Sequence, residues 1–299
     1  MSTTLAPRRS RRQTKPSLRG RRNRVAGSLP SVLALAAAAT ALAVPAAAPP
    51  PNAPLPAGAG PVAQRLTTAT DSLYTAVAVW RASEAPRPPR ELRLWALHQQ
   101  RLYLALGLAR PRVGEAVVGR LPRELHANAR DVLTARRALV RLTPPATRSL
   151  SAFRTGRAEP AERLLGHYRE AQRRFGVPWH VLAAVNLVET AFGKVRSPST
   201  AGAQGPMQFL PATWRAYGLG GDIYDPRDSI LGAANYLRAS GASRNLRRAL
   251  YAYNHSKLYV DAVLAYARVM RRDVRAFYGF HAWQVFVRTP SGYRRITNP

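Results

Sequence analysis

The sequence predicts a mainly α-helical chain that ends in a small β-hairpin. Two observations carry this. Apolar residues recur at helical spacing through residues 62–148 and again through 160–270, with Pro and Gly marking the ends of each run. Strict alternation is confined to Trp283–Arg288 and Tyr293–Thr297, which flank the turn formers Pro290, Ser291 and Gly292.

The N-terminus reads as an export signal. Residues 1–27 are basic, with nine basic residues and no acid before position 25, and "VLALAAAATALAV" (32–44) is a short apolar run. Ala41-Leu42-Ala43 is the expected cleavage site. Ala46-Ala47-Ala48 is a poorer one, because Pro49 follows it. The run is shorter than the ~20 residues a membrane helix needs. Left uncleaved, it can still act as a membrane anchor. Arg21-Arg22 gives only a weak twin-arginine signal. Residues 1–44 are thus an export signal or anchor, and the Pro/Ala-rich stretch 45–61 is expected to be an extended linker.

Residues 62–150 are expected to form an N-terminal helical accessory domain. "RELRLWALHQQRLYLALGLA" carries Leu94, Leu97, Leu102, Leu104 and Leu106, and Pro111 and Pro122 punctuate the chain beyond it. "ELHANARDVLTARRALVRL" places Val132, Leu133, Leu139 and Val140 on one face. No cluster of reactive side chains lies here.

Residues 151–275 are denser in signals. Pro160 opens an amphipathic helix with Leu164, Leu165, Tyr168, Ala171 and Phe175 on its apolar face, and Gly176 and Pro178 stop it. "WHVLAAVNLVET" is apolar on nearly every side, so it is expected to be a buried central helix. In "YDPRDSILGAANYLRASG" Asp225 is the expected N-cap, Pro226 the first helical residue and Asp228 a first-turn acid that suits the helix dipole, with Gly241 as terminator. Residues 276–299 form the tail with the hairpin.

Composition narrows the chemistry. The chain has 299 residues and no cysteine, which excludes disulfides, thiol catalysis and thiolate-bound metal. Six scattered histidines without an H-E-x-x-H run give no metal site, and no cofactor is expected. The formal charge is +31, and the chain after residue 24 still carries 37 basic and 15 acidic residues, a net +22. Such a surface suits any polyanion. With no zinc-finger spacing and no aromatic RNA-binding motif, it does not establish nucleic-acid binding, and no nucleic-acid partner is expected.

Glu189 stands in the last turn of the central apolar run. The dipole at a helix C-terminus and apolar surroundings both oppose its ionisation. A carboxyl that stays protonated can donate to a glycosidic oxygen. Taken alone, an acid at a helix end is more often merely solvated. The loop after it, "SPSTAGAQGPMQFLPATW" (197–214), shifts the balance: its glycines let backbone approach a ligand, and Gln208 can bind hydroxyl and N-acetyl groups. "ALYAYNHSKLYVDAVLAYA" adds Tyr253, Asn254 and Tyr259, suited to stacking on sugar rings and binding their edges. Either tyrosine alone would more often be packing.

The runs E-T-x-F-G, G-P-M-Q-F-L-P, D-P-x-D-x-I-x-x-A-A-x-Y-L and A-Y-N-H-S occur in that order over about residues 162–270. Together they resemble the lytic murein transglycosylases, in particular the soluble-transglycosylase (SLT) catalytic domain with features of the membrane-bound B-type members. The resemblance implies an α+β lysozyme-like catalytic domain with Glu189 as single acid/base. It implies substrate contacts at Ser199, Met207, Gln208, Phe209, Tyr236, Tyr253, Asn254 and Tyr259; Ser197 rivals Ser199 because the loop length differs. Two positions depart from the pattern: Pro206 replaces a more flexible residue and Thr190 a serine. "LGGDIYD" (219–225) has too few acids for the calcium loop of some relatives. The implied partner is the peptidoglycan glycan strand, met in the cell envelope or outside the cell by a monomer. A goose-type muramidase would need a second carboxylate, for which Asp222 is the candidate. A noncatalytic wall-binding protein would have no use for the acid.

Overall fold

The computed structural model describes residues 47–83, 85–145 and 153–297. The expected signal sequence and its cleavage sites lie outside these residues, apart from Ala47 and Ala48. The described residues form one compact unit. No helix among the described residues is long and apolar enough to cross a membrane.

The N-terminal stretch folds into α1 (Ala59–Ala82), α2 (Arg90–Leu108), α3 (Pro111–Val118) and α4 (Arg123–Leu142). Pro111 and Pro122 stand at helix starts, where a missing N–H costs nothing. Next come α5 (Ala161–Phe175), α6 (Trp179–Thr190), α7 (Pro211–Tyr217), α8 (Pro226–Ala239), α9 (Leu246–Tyr253), α10 (Lys257–Arg272) and α11 (Val274–Ala282). Gly176 ends α5 in the left-handed conformation, and the Asp225 carboxylate accepts from the Asp228 N–H at the start of α8. Gly241, with φ 86°, closes α8. Strands β1 (Phe286–Thr289) and β2 (Gly292–Arg295) pair antiparallel across Pro290–Ser291. The mainly helical fold and the terminal hairpin are as the sequence predicts.

Helix α10 is the axis of the molecule. It packs on α4 from the N-terminal stretch and on α6, α9 and α11 from the later one. Its Tyr259, Val263, Tyr266 and Met270 are buried in an apolar core that runs without a break from α1 to Trp283. The Asp131 carboxylate of α4 accepts from Arg268 Nε at 2.9 Å and also from Arg272. The C-terminal tail is fastened by polar side chains. The Gln100 amide exchanges two 2.8 Å hydrogen bonds with the Gln284 backbone, and Arg288 donates to the Val140 and Thr143 carbonyls. Residues 47–58 of the Pro/Ala-rich stretch lie against α2: Arg101 donates to the Pro51 and Ala53 carbonyls, and Leu55 packs on the core. Proline leaves carbonyls without a neighbouring N–H to compete for them, so a guanidinium is a natural partner.

Candidate active site

Helix α6 is buried from Val181 to Asn186. A helix enclosed this way must satisfy every polar side chain it carries. Asn186 does so by donating to the Tyr168 hydroxyl at 2.8 Å and facing Thr190 Oγ at 3.1 Å. The Thr190 hydroxyl reaches the Pro206 carbonyl at 2.6 Å and accepts from the Gly193 N–H at 2.8 Å. Tyr168, Asn186 and Thr190 therefore form a buried polar spine that locks the last turn of α6 to the 204–209 loop.

Glu189 projects from this locked turn and is half-buried. Burial pushes its pKa up to about 7, against a smaller lowering effect of the Tyr259 hydroxyl, which donates to Oε1 at 2.7 Å. The Tyr259 phenol is itself held far above its ordinary pKa by burial and by the carboxylate beside it, so it remains a neutral donor. With Oε1 occupied as an acceptor, the proton of the acid form belongs on Oε2, which has no hydrogen-bond partner among the described residues.

The backbone beyond Glu189 turns sharply. Ala191, Phe192 and Gly193 all have positive φ, at 51°, 65° and 79°. Two non-glycine residues in that region cost about 1–2 kcal/mol each. Phe192 offsets this by burying its ring edge-on against Phe277, 5.5 Å between centroids. Lys194 then donates from Nζ to the carbonyls of His281 and Trp283, fastening the loop to the end of α11; burial pushes its pKa down to about 7.

The 204–209 loop is a tight turn closed by paired backbone bonds between Gln204 and Phe209. Gly205 is obligatory there, since a Cβ would lie 1.9 Å from the Ile223 carbonyl oxygen. Gln208, at φ 52°, donates from Nε2 to the Gly205 carbonyl and is half-buried; its Oε1 has no partner among the described residues. The Met207 and Phe209 side chains are buried in the core, so they shape the site from beneath and offer no side-chain surface to a ligand. The Met207 carbonyl is taken by the Tyr253 hydroxyl at 2.7 Å.

Tyr253 lies parallel to Tyr259, 6.4 Å between centroids at 6°, and against Tyr236 and Phe209. Tyr236 donates to the Ala252 carbonyl at 2.9 Å. Both rings, and Asn254 where α9 ends, are half-buried. Tyr259 is fully buried and reaches any ligand only through Glu189. Ser199 stands apart: it is exposed, and its Oγ accepts from the N–H groups of Ala201 and Ala203. Its rival Ser197 accepts from the Arg154 N–H.

The other acids have structural employment. Asp222 is exposed, its carboxylate accepts from the Tyr224 N–H at 2.8 Å, and its own N–H donates to the Asp228 carboxylate at 3.0 Å. Glu170 pairs with Arg227, which lowers its pKa. Sequence reasoning missed the spine. Asn186 in an apolar helix, one turn before Thr190, was the available signal.

One carboxyl of raised pKa beside a tyrosine and a glycine-bearing loop can donate a proton to a glycosidic oxygen. Residues 167–272, from within α5 to the end of α10, match the transglycosylase SLT domain. The chain therefore carries the catalytic domain of peptidoglycan lytic transglycosylases, which are lyases. No curated protein and no solved structure matches the chain.

Proposed function

We propose that the chain cleaves the β-1,4 bond between N-acetylmuramic acid and N-acetylglucosamine without water, leaving 1,6-anhydromuramyl ends, with Glu189 as the only acid and base. The supporting observation is the Glu189 carboxyl, half-buried with a pKa near 7 and with Tyr259 on one oxygen. Glu189 donates the Oε2 proton to the glycosidic oxygen. The C1–O bond breaks, and the N-acetylglucosamine leaves with its 4-hydroxyl restored. The substrate's own N-acetyl carbonyl stabilises the cation at C1. The Glu189 carboxylate then takes the proton of the muramyl 6-hydroxyl, whose oxygen bonds to C1. Glu189 ends protonated, ready for the next cycle. The nucleophile belongs to the same sugar, so proximity replaces a second carboxylate.

Gln208, Tyr236, Tyr253 and Asn254 hold the sugars in this reading, while Tyr259 positions the acid. Residues 1–44 direct the chain to the envelope, as export signal or anchor. The test is a digest of purified peptidoglycan by the full chain and by its Glu189→Gln variant, with products identified by mass spectrometry. Anhydromuropeptides from the wild type alone are expected. Hydrated reducing ends would instead make the protein a muramidase; wall binding by both proteins without products would make it a binder.

A further inference from the structure

A concave surface of the molecule has a lining that does not include Glu189. A groove of about 1040 Å³ runs between the end of α1 with the turn after it, the 155–163 segment, and the 281–297 tail. Its rim carries Arg87, Arg93, Arg157 and Arg295, whose guanidinium groups make no ion pair or hydrogen bond among the described residues. Among the described residues Glu162 is the one acid lining it, and its carboxylate is already taken by Arg81 at 2.9 Å and the Tyr278 hydroxyl at 2.6 Å. Lys194 sits in the lining as well. Positive charge is in excess among the described residues here: Arg295 lies close enough to Arg101 to help burial lower that group's pKa.

We propose that this groove binds a phosphodiester-bearing polymer of the cell wall, holding the enzyme beside the glycan it cuts. The guanidinium fork matches phosphate oxygens in pairs. The volume lies at the upper end of the small-ligand range and the groove is open, which suits a length of chain. Single-stranded nucleic acid shares the phosphodiester but is held as well by aromatic faces stacked on its bases. The groove's two tryptophans, Trp80 and Trp283, are buried at 8% and 3% exposure and present none. The wall as the polymer's source rests on the proposed peptidoglycan substrate.

The experiment measures sedimentation of the full chain with purified walls that carry their phosphodiester polymer and with the same walls stripped of it by hydrofluoric acid. The same is done for the Arg87→Ser/Arg93→Ser/Arg157→Ser/Arg295→Ser variant. Four phosphate contacts to a single chain predict about a 50-fold loss of affinity for intact walls between 0.05 and 0.2 M salt. Stripping the walls, or making the variant, should remove this salt-sensitive share. Binding unaffected by stripping, or retained by the variant, overturns the proposal. So does competition by single-stranded DNA as strong as that by the released polymer. If the fourfold variant melts early, the charge reversal Arg87→Glu on the exposed turn gives the same comparison with the fold intact. Anhydromuropeptide release from stripped walls is read in parallel and should be equal for wild type and variant. Its absence in both would break the catalytic reading, while the sedimentation result still decides the groove.

Discussion

The Glu189 site and the basic groove are built on opposite principles. Around Glu189 nearly every polar atom has a partner: Tyr168, Asn186, Thr190, Tyr253 and Tyr259 all hydrogen-bond within the core or at its edge. The exceptions are the acid and Gln208, each with one side-chain oxygen left unpartnered among the described residues. In the groove the acid is neutralised, and four cations have no partner among the described residues. A preorganised site spends its hydrogen bonds on holding one reactive group still. A surface that retains a polyanion needs charge and reach, and gains little from rigidity. The two can therefore be broken separately.

The largest effect is expected at the acid itself. Glu189→Gln keeps the shape and removes the transferable proton, so turnover should fall by about 10²–10⁴-fold, the usual share of general acid–base catalysis. Wall binding through the groove should be unchanged. Stability should move the other way. A carboxyl whose folded pKa is raised from 4.5 to about 7 contributes fully below pH 4.5 and loses that contribution as pH rises through 7. The variant should then equal the wild type near pH 4 against denaturant and exceed it at pH 8 by up to about 3 kcal/mol.

Thr190→Val tests the spine. The substitution keeps the volume and strands the Pro206 carbonyl and the Gly193 N–H. Leaving buried polar groups unsatisfied costs about 1–3 kcal/mol, visible as a lowered denaturation midpoint. Turnover should drop with it, because the turn that aims Glu189 is no longer tied to the 204–209 loop. Affinity for intact walls should not.

The pH profile isolates a smaller effect. If Glu189 must start protonated, turnover is flat below about pH 7 and falls tenfold per unit above it. Lys194 also titrates near 7, so the limb needs assignment. Tyr259→Phe supplies it. The hydroxyl stabilises the carboxylate, so its loss should move the limb to higher pH, and it touches Glu189 alone among the titrating pair. A limb that stays put would assign the titration to another group.

The same contrast decides what is legible in the sequence. Glu189, Gln208, Tyr236, Tyr253 and Tyr259 sit within about seventy residues, on elements whose caps and apolar faces are explicit, so position in sequence predicts position in space. Asp225 capping α8 and Gly241 closing it are of the same kind. The groove arginines are spread from residue 81 to 295, and nothing in 46 basic residues marks the few that the fold gathers. The left-handed turn at Ala191 and Phe192 is hidden because neither residue type prefers it; the Phe192 ring buried on Phe277 imposes it. The docking of residues 47–58 depends on Arg101, some fifty positions away, which composition cannot foresee. Met207 and Phe209 show the converse case: a motif marks them, and only packing shows that their side chains lie in the core.

Ser199 gives the smallest and most discriminating test. Its hydroxyl holds the N–H groups of Ala201 and Ala203, and it is solvent-exposed. Ser199→Ala should cost less than about 1 kcal/mol, since water can replace the lost acceptor. Any change in turnover then has two origins, a slack loop or a lost sugar contact. Ser199→Asn separates them, because an Asn side chain closes the same kind of turn with its own carbonyl oxygen. If the serine acts by shaping the loop, turnover falls a fewfold in the alanine variant and returns in the asparagine one. If the hydroxyl binds the glycan directly, the bulkier amide restores nothing, and KM for the wall substrate stays raised in both.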